Sequence, residues 1–179
     1  MRLRAAIVAL ALAVPAIADV VDSGVGGFTV KVTLVLKTAP DVAYRKFVQN
    51  IGDWWNSQHT FSGDAHNLTM DARAGGCLCE KLPNDGGVRH MTVTTVMPGK
   101  TIVMQGALGP LQSVAATGSM QVQFIPADGG SSTRLELTYS VAGYLPKGMN
   151  TWAAPVDSVL TEQLTRFQSF IERGSPTAK

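Results

Sequence analysis

In several stretches between Phe28 and Val141 the side chains change character at every second residue, whereas the closing segment changes at every third and fourth. That switch of period constrains the fold more than any other feature. Phe28, Val30, Val32, Leu34 and Leu36 alternate with Thr29, Lys31, Thr33 and Lys37. Met120, Val122 and Phe124 alternate with Gln121 and Gln123, and Leu135, Leu137, Tyr139 and Val141 with Arg134, Glu136, Thr138 and Ser140. Such alternation predicts antiparallel strands with one buried and one wet face. Further strands are predicted at 68–72, 77–82, 88–97 and 101–106, with turns at Pro98-Gly99 and at Ala127-Asp128-Gly129-Gly130. A helix with Pro40 in its first turn puts Val42, Phe47, Val48 and Ile51 on one side and ends at Gly52 and Trp54-Trp55. From about Pro155 to Arg173, Val156, Val159, Leu160, Leu164, Phe167 and Ile171 recur at helical steps. At ~1.5 Å per residue that helix is ~28 Å long, enough to cross a sheet. The fold class read from this order is α+β, a curved antiparallel sheet wrapped around a long C-terminal helix.

The first eighteen residues carry a separate message. Arg2 and Arg4 precede the apolar run from Ala5 to Val14, and Ala16-Ile17-Ala18 has the small-x-small pattern of a cleavage site. This reads as a signal peptide with Asp19 as the first mature residue. The run falls short of the ~20 residues needed to span a bilayer, and Pro15 interrupts it. The protein is therefore expected to be exported, periplasmic or secreted, with no transmembrane segment in the mature chain. Loss of Arg2 and Arg4 leaves thirteen basic against thirteen acidic residues. A nucleic-acid partner is accordingly not expected. The remaining residues suit one domain, 28–173, between a loose Gly-rich stretch at 19–27 and a polar tail at 174–179.

Several local marks then carry a resemblance. They are the Trp54-Trp55 pair after the first helix, the Gly75-Gly76 start of a strand, the Pro98-Gly99-Lys100 turn, the GGSSTRLELTYSV hairpin and the amphipathic last helix. With these the chain from Phe28 to Arg173 resembles the SRPBCC or START-related superfamily, the helix-grip fold shared with the birch-pollen allergen family. Within it the chain looks most similar to the branch named after an activator of a heat-shock chaperone ATPase, which overlaps with polyketide cyclase-like proteins. The resemblance implies a cavity between sheet and last helix that holds apolar ligands. Export sets the cytosolic chaperone role aside.

The segment CLCEKLPNDGGVRHMTVTTV is expected to be a hairpin turning at Asp85-Gly86, with Glu80 opposite Met91. Leu78, Glu80, Leu82, Arg89, Met91, Val93 and Thr95 then share the more apolar face, towards the cavity. Glu80 and Arg89 become diagonal neighbours, read either as an ion pair at the sheet rim or as the group that orients a ligand's polar end. Cys77 and Cys79 fall on the other face with His90. Two strand steps span ~6.6 Å, near the limit for a disulfide, so unlinked thiols, a locally distorted disulfide and a Cys/Cys/His metal site all stand open. Trp55, Met91, Met104, Tyr139, Trp152 and Phe167 complete the expected ligand-binding wall, together with Trp54, Met120, Tyr144 and Met149.

His59 and His66, near Asp64, are expected to be surface loop residues. The chain has no G-x-S-x-G elbow and no phosphate-binding glycine loop, and Asn67-Leu68-Thr69 is a glycosylation sequon in form. No cofactor and no metal is called for, no catalytic residue is assigned, and a monomer is expected. The leading functional reading is an exported protein that shelters a small hydrophobic or lipid-like molecule. The second is a cyclase- or dehydratase-like enzyme using Glu80 or a histidine as acid or base. The third is an envelope interaction protein that docks through the Gly/Pro-rich segment around Trp152.

Overall fold

The computed structural model describes residues 17–177. Its strands are β1 (Ile17–Gly24), β2 (Gly27–Leu36), β3 (Leu68–Met70), β4 (Cys77–Lys81), β5 (Gly87–Met97), β6 (Thr101–Gln105), β7 (Ala115–Ala127) and β8 (Ser132–Tyr144). They form one sheet in the order β1-β2-β8-β7-β6-β5-β4-β3, every neighbouring pair antiparallel. The pairing of β2 with β8 joins distant parts of the sequence; the other pairings link successive strands. Helices α1 (Pro40–Gln49) and α2 (Ile51–Trp54) lie between β2 and β3, and α3 (Ala153–Arg173) packs across the inner face of the curved sheet. This is a helix-grip fold of the α+β class. Among the described residues no helix is long and apolar enough to cross a membrane.

The predicted alternation becomes burial. Phe28, Val30, Val32, Leu34 and Leu36 of β2 and Leu135, Leu137, Tyr139 and Val141 of β8 all face the core, while Lys31 and Glu136 meet on the outer face at 2.8 Å. From α3, Leu160, Leu164 and Phe167 complete the core. Phe167 meets Phe47 of α1 edge-on with ring centres 5.3 Å apart, and Trp54 closes the cluster 5.1 Å from both rings. α3 ends where Gly174 takes a left-handed φ of 72° and its N–H bonds the Phe170 carbonyl at 3.0 Å. It starts two residues earlier than the periodicity suggests, because a 3-10 turn at Met149–Trp152 leads straight into it.

Three expectations change. The basic start and the apolar run from Ala5 to Val14 lie outside the described residues, but the stretch expected to be loose at 19–27 is ordered: β1 pairs with β2 from Ile17↔Thr33 to Gly24↔Gly27. Its small residues hid an edge strand. The turn of the β4–β5 hairpin sits at Asn84-Asp85, both with positive φ, rather than at Asp85-Gly86. Glu80 therefore pairs with Val88 and Cys79 with Arg89, while Leu78 pairs with Met91; His90 is the extra residue of a β-bulge. One inserted residue exchanges the two faces beyond it. Arg89 points outward and is exposed, His90 points inward beside Met91, and the Glu80–Arg89 pair does not form. Gly106 of the next connection fits against this bulge, where a Cβ would lie 2.5 Å from the His90 carbonyl oxygen.

The third change concerns the space under the helix. Met91, Met104, Tyr139 and Phe167, expected to line a cavity, are instead tightly packed in the core, each at most 1% exposed. The Tyr139 hydroxyl donates to the Gly106 carbonyl and accepts from the Leu108 N–H, both at 3.1 Å, and burial pushes its pKa up to about 12. The gap left among Met104, Met120, Leu137 and Leu164 is only about 20 Å³, less than a ligand needs.

Candidate functional site

The open space lies at the N-terminal end of α3. Here the inner face of β4 and β5 ends, and two irregular segments meet the helix: the 3-10 turn Ser57–His59 with its flanks, and the 3-10 turn Gly109–Ser113. Together they enclose about 320 Å³. The floor is Leu68, Leu78 and Leu111, one wall is Trp152, Val156, Val159 and Leu160, and Trp55 and Leu108 stand opposite. Half-exposed Phe61 and the exposed Pro110 and Pro155 form a rim that reaches solvent. Of the expected wall residues, Trp55 and Trp152 line this space. Leu108, Leu111 and Phe61 were missed, although apolar residues in a Gly/Pro-rich loop signal a pocket as readily as a core.

Polar chemistry enters at two points. Glu80 has a fully buried side chain whose carboxylate accepts from the Phe61 N–H at 3.2 Å, from the Ser62 N–H at 2.5 Å and from His90 Nε2 at 2.9 Å. Burial pushes this carboxyl up, but the bonds from Ser62, His90 and Phe61 outweigh it, and the pKa falls below its ordinary value. The Gln112 amide nitrogen lies 3.3 Å from His90 Nδ1. An amide nitrogen only donates, so Nδ1 accepts and the ring proton sits on Nε2. Glu80 therefore ties the loop over the cavity to β4 and β5, and holds His90 in the wall with its ring 5.9 Å from that of Phe61.

The second point is His59. Its Nε2 lies 3.0 Å from Glu162 Oε2 on α3, and the Trp55 indole N–H donates to its carbonyl at 3.1 Å. Asn56 links the same turn to the helix: its amide donates to Glu162 and its backbone N–H to buried Gln163 at 2.8 Å. Burial raises the Glu162 carboxyl, yet the bonds from Asn56 and His59 and the charge of Arg166 bring it below its ordinary value. His59 is an exposed loop residue, as expected, and its side chain also borders the cavity. His66 is exposed and bonds Asp64 at 2.9 Å, as a surface histidine should.

Cys77 and Cys79 form a disulfide on β4, their Cα atoms 5.4 Å apart. The sulfurs are thereby withdrawn from metal binding, and His90 faces away from them. Among the described residues no cluster of three or more metal-ligating side chains occurs.

No family model and no curated protein matches the chain. Solved structures do. A conserved protein of unknown function from Enterococcus faecalis superposes on 92% of this chain and 80% of its own with a TM-score of 0.60 at 14% identity. CalU16 from Micromonospora echinospora superposes on 84% and 78%, with a TM-score of 0.55 at 14% identity. DynU16, from the dynemicin biosynthetic locus, matches 83% of this chain at a TM-score of 0.55 and 12% identity, and this chain spans about half (48%) of it. At these identities the likeness is one of fold: the chain shares the helix-grip architecture of CalU16 and DynU16.

Proposed function

We propose that this protein is an exported, monomeric, START-like member of the SRPBCC superfamily that binds a small hydrophobic molecule in the cavity beside the N-terminal end of α3. The observation that carries the reading is the cavity itself. A volume of about 320 Å³ walled mainly by leucine, valine, proline and tryptophan, with His59, His90, Gln58 and Thr60 as its polar side chains, matches the make-up of small-molecule sites. Export is supported by the Arg2–Ala18 pattern and by the Cys77–Cys79 bridge, a bond that persists in oxidising compartments. The fold likeness to a protein from a biosynthetic locus agrees with a small organic ligand.

The test is binding of N-phenylnaphthylamine, a neutral dye that fluoresces on leaving water. The wild-type protein is expected to enhance its emission saturably, and Val156→Trp, which fills the cavity from its wall, to abolish the enhancement. No saturable signal from the folded wild type, or an undiminished one from Val156→Trp, refutes the reading. Export and cleavage are read from the N-terminal sequence of the protein recovered outside the cytoplasm, expected to begin at Asp19.

A further inference from the structure

This inference rests on the cavity's binding an apolar molecule and adds chemistry to it. Two histidines share the wall, and each is backed by a carboxylate, His90 by Glu80 and His59 by Glu162. They differ in what is left over. His90 has both ring nitrogens engaged, Nε2 with Glu80 and Nδ1 with Gln112. His59 spends one: Nε2 bonds Glu162 at 3.0 Å, while Nδ1 makes no hydrogen bond to any described residue. A carboxylate accepting from Nε2–H fixes the proton there and leaves the Nδ1 lone pair available. Glu162 is itself fixed by the Asn56 amide, which donates to its other carboxylate oxygen.

The ring is held from its backbone as well. Besides the Trp55 bond to the His59 carbonyl, Asn56 caps the Gln58 N–H at 3.0 Å and the Thr60 hydroxyl bonds the Ser57 carbonyl at 2.7 Å. A positioned imidazole with one free nitrogen beside an apolar cavity is the arrangement of a general base.

We propose that His59 is a catalytic residue that accepts a proton from an acidic C–H of an apolar carbonyl compound bound in the cavity, with Glu162 as its positioning residue. In the step, Nδ1 takes the proton and the C–H electron pair becomes the enolate. Return of that proton to the enolate oxygen restores neutral His59 and leaves the enol isomer. No co-reactant is needed.

The probe is nitrobenzisoxazole, a compact aromatic carbon acid. Removal of its ring C–H proton turns the C–H pair into a nitrile and breaks the N–O bond, releasing a coloured phenolate. Its binding is followed in parallel by displacement of N-phenylnaphthylamine. The wild type is expected to open the ring faster than buffer, and His59→Ala to lower the rate by about 100-fold or more. His59→Gln, closer in size, should fall as far with its far-UV spectrum retained. Glu162→Gln keeps a side chain in place without the charge, and should lower kcat by roughly ten-fold with KM unchanged. His66→Ala, outside the cavity, should leave the rate alone. If the dye is displaced but the wild type does not exceed buffer, or both His59 variants keep its rate, the base is refuted while the binding cavity stands. If neither dye nor probe binds the wild type, the cavity reading falls and this proposal with it.

Discussion

Replacing Glu80 by alanine should destabilise the protein far more than replacing it by glutamine. The carboxylate is fully buried and accepts from three donors, the Phe61 and Ser62 amides and His90 Nε2. Each buried donor left without a partner costs about 1–3 kcal/mol. Phe61 is exposed and Ser62 half-buried, so their amides recover water cheaply, whereas His90 is 6% exposed and does not. The sum expected for Glu80→Ala is therefore about 3–4 kcal/mol, within the range for breaking a buried charged network. Glutamine keeps one acceptor oxygen but turns an N–H₂ towards a donor, at about 1–2 kcal/mol. At ~2–4 °C per kcal/mol for a domain of this size, Glu80→Ala should lower Tm by roughly 10 °C.

The pH dependence gives the same network a second reading. The folded pKa of Glu80 lies below its ordinary 4.5, so the contribution is fully present above that value and is lost as pH falls through the folded one. Urea unfolding of the wild type and Glu80→Gln at pH 7 and at successively lower pH below about 4.5 should show their gap narrowing. A Glu80→Ala variant within about 0.5 kcal/mol of wild type, or a gap unchanged across that range, refutes the network as described.

Two further outcomes are expected. Cys77→Ser with Cys79→Ser should lower stability by only about 1.5 kcal/mol, because the bridge spans a sequence separation of two and closes a very small loop. It should nonetheless move the His90 ring resonances, since the bridge draws two Cα atoms to 5.4 Å, against ~6.6 Å for two extended steps, opposite the bulge that carries His90; an unaltered histidine spectrum contradicts this. Phe167→Ala should cost about 3–5 kcal/mol in urea unfolding, for it empties the centre of the Phe47–Trp54 cluster; a loss under about 1 kcal/mol would mean that cluster is not packed as described.

What could be read before any coordinates were at hand divides along a physical line. Alternation in 28–36, 119–125 and 133–141 and the three- and four-residue steps after Pro155 are local, and local periodicity is enforced by the side on which each Cβ emerges. The strands, the final helix and the α+β class followed from it, while the helix-grip assignment rested on the family resemblance. The edge strand at 17–24 did not, since the stretch shows no alternation, its residues 19–24 are mostly exposed, and only pairing with β2 orders it. Trp55 and Trp152 line the open space, whereas Trp54 from the same segment packs in the core, a difference that composition does not carry.

The remainder was decided at a distance. A bulge one residue long moved His90 inward and Arg89 outward, and no pattern within the hairpin announces an insertion whose cause is the fit of β4 against β5 and of Gly106 against the bend. His59 joins the site through Glu162, more than a hundred residues away on α3. Met91, Met104, Tyr139 and Phe167 have the composition of a ligand wall and the packing of a core, and only the spacing between sheet and helix separates the two. The sequence alone determined the layers of this protein, because periodicity is carried by neighbours. Where those layers leave room, and which polar groups face the gap, was settled by tertiary packing, because it depends on contacts between residues that the chain keeps far apart.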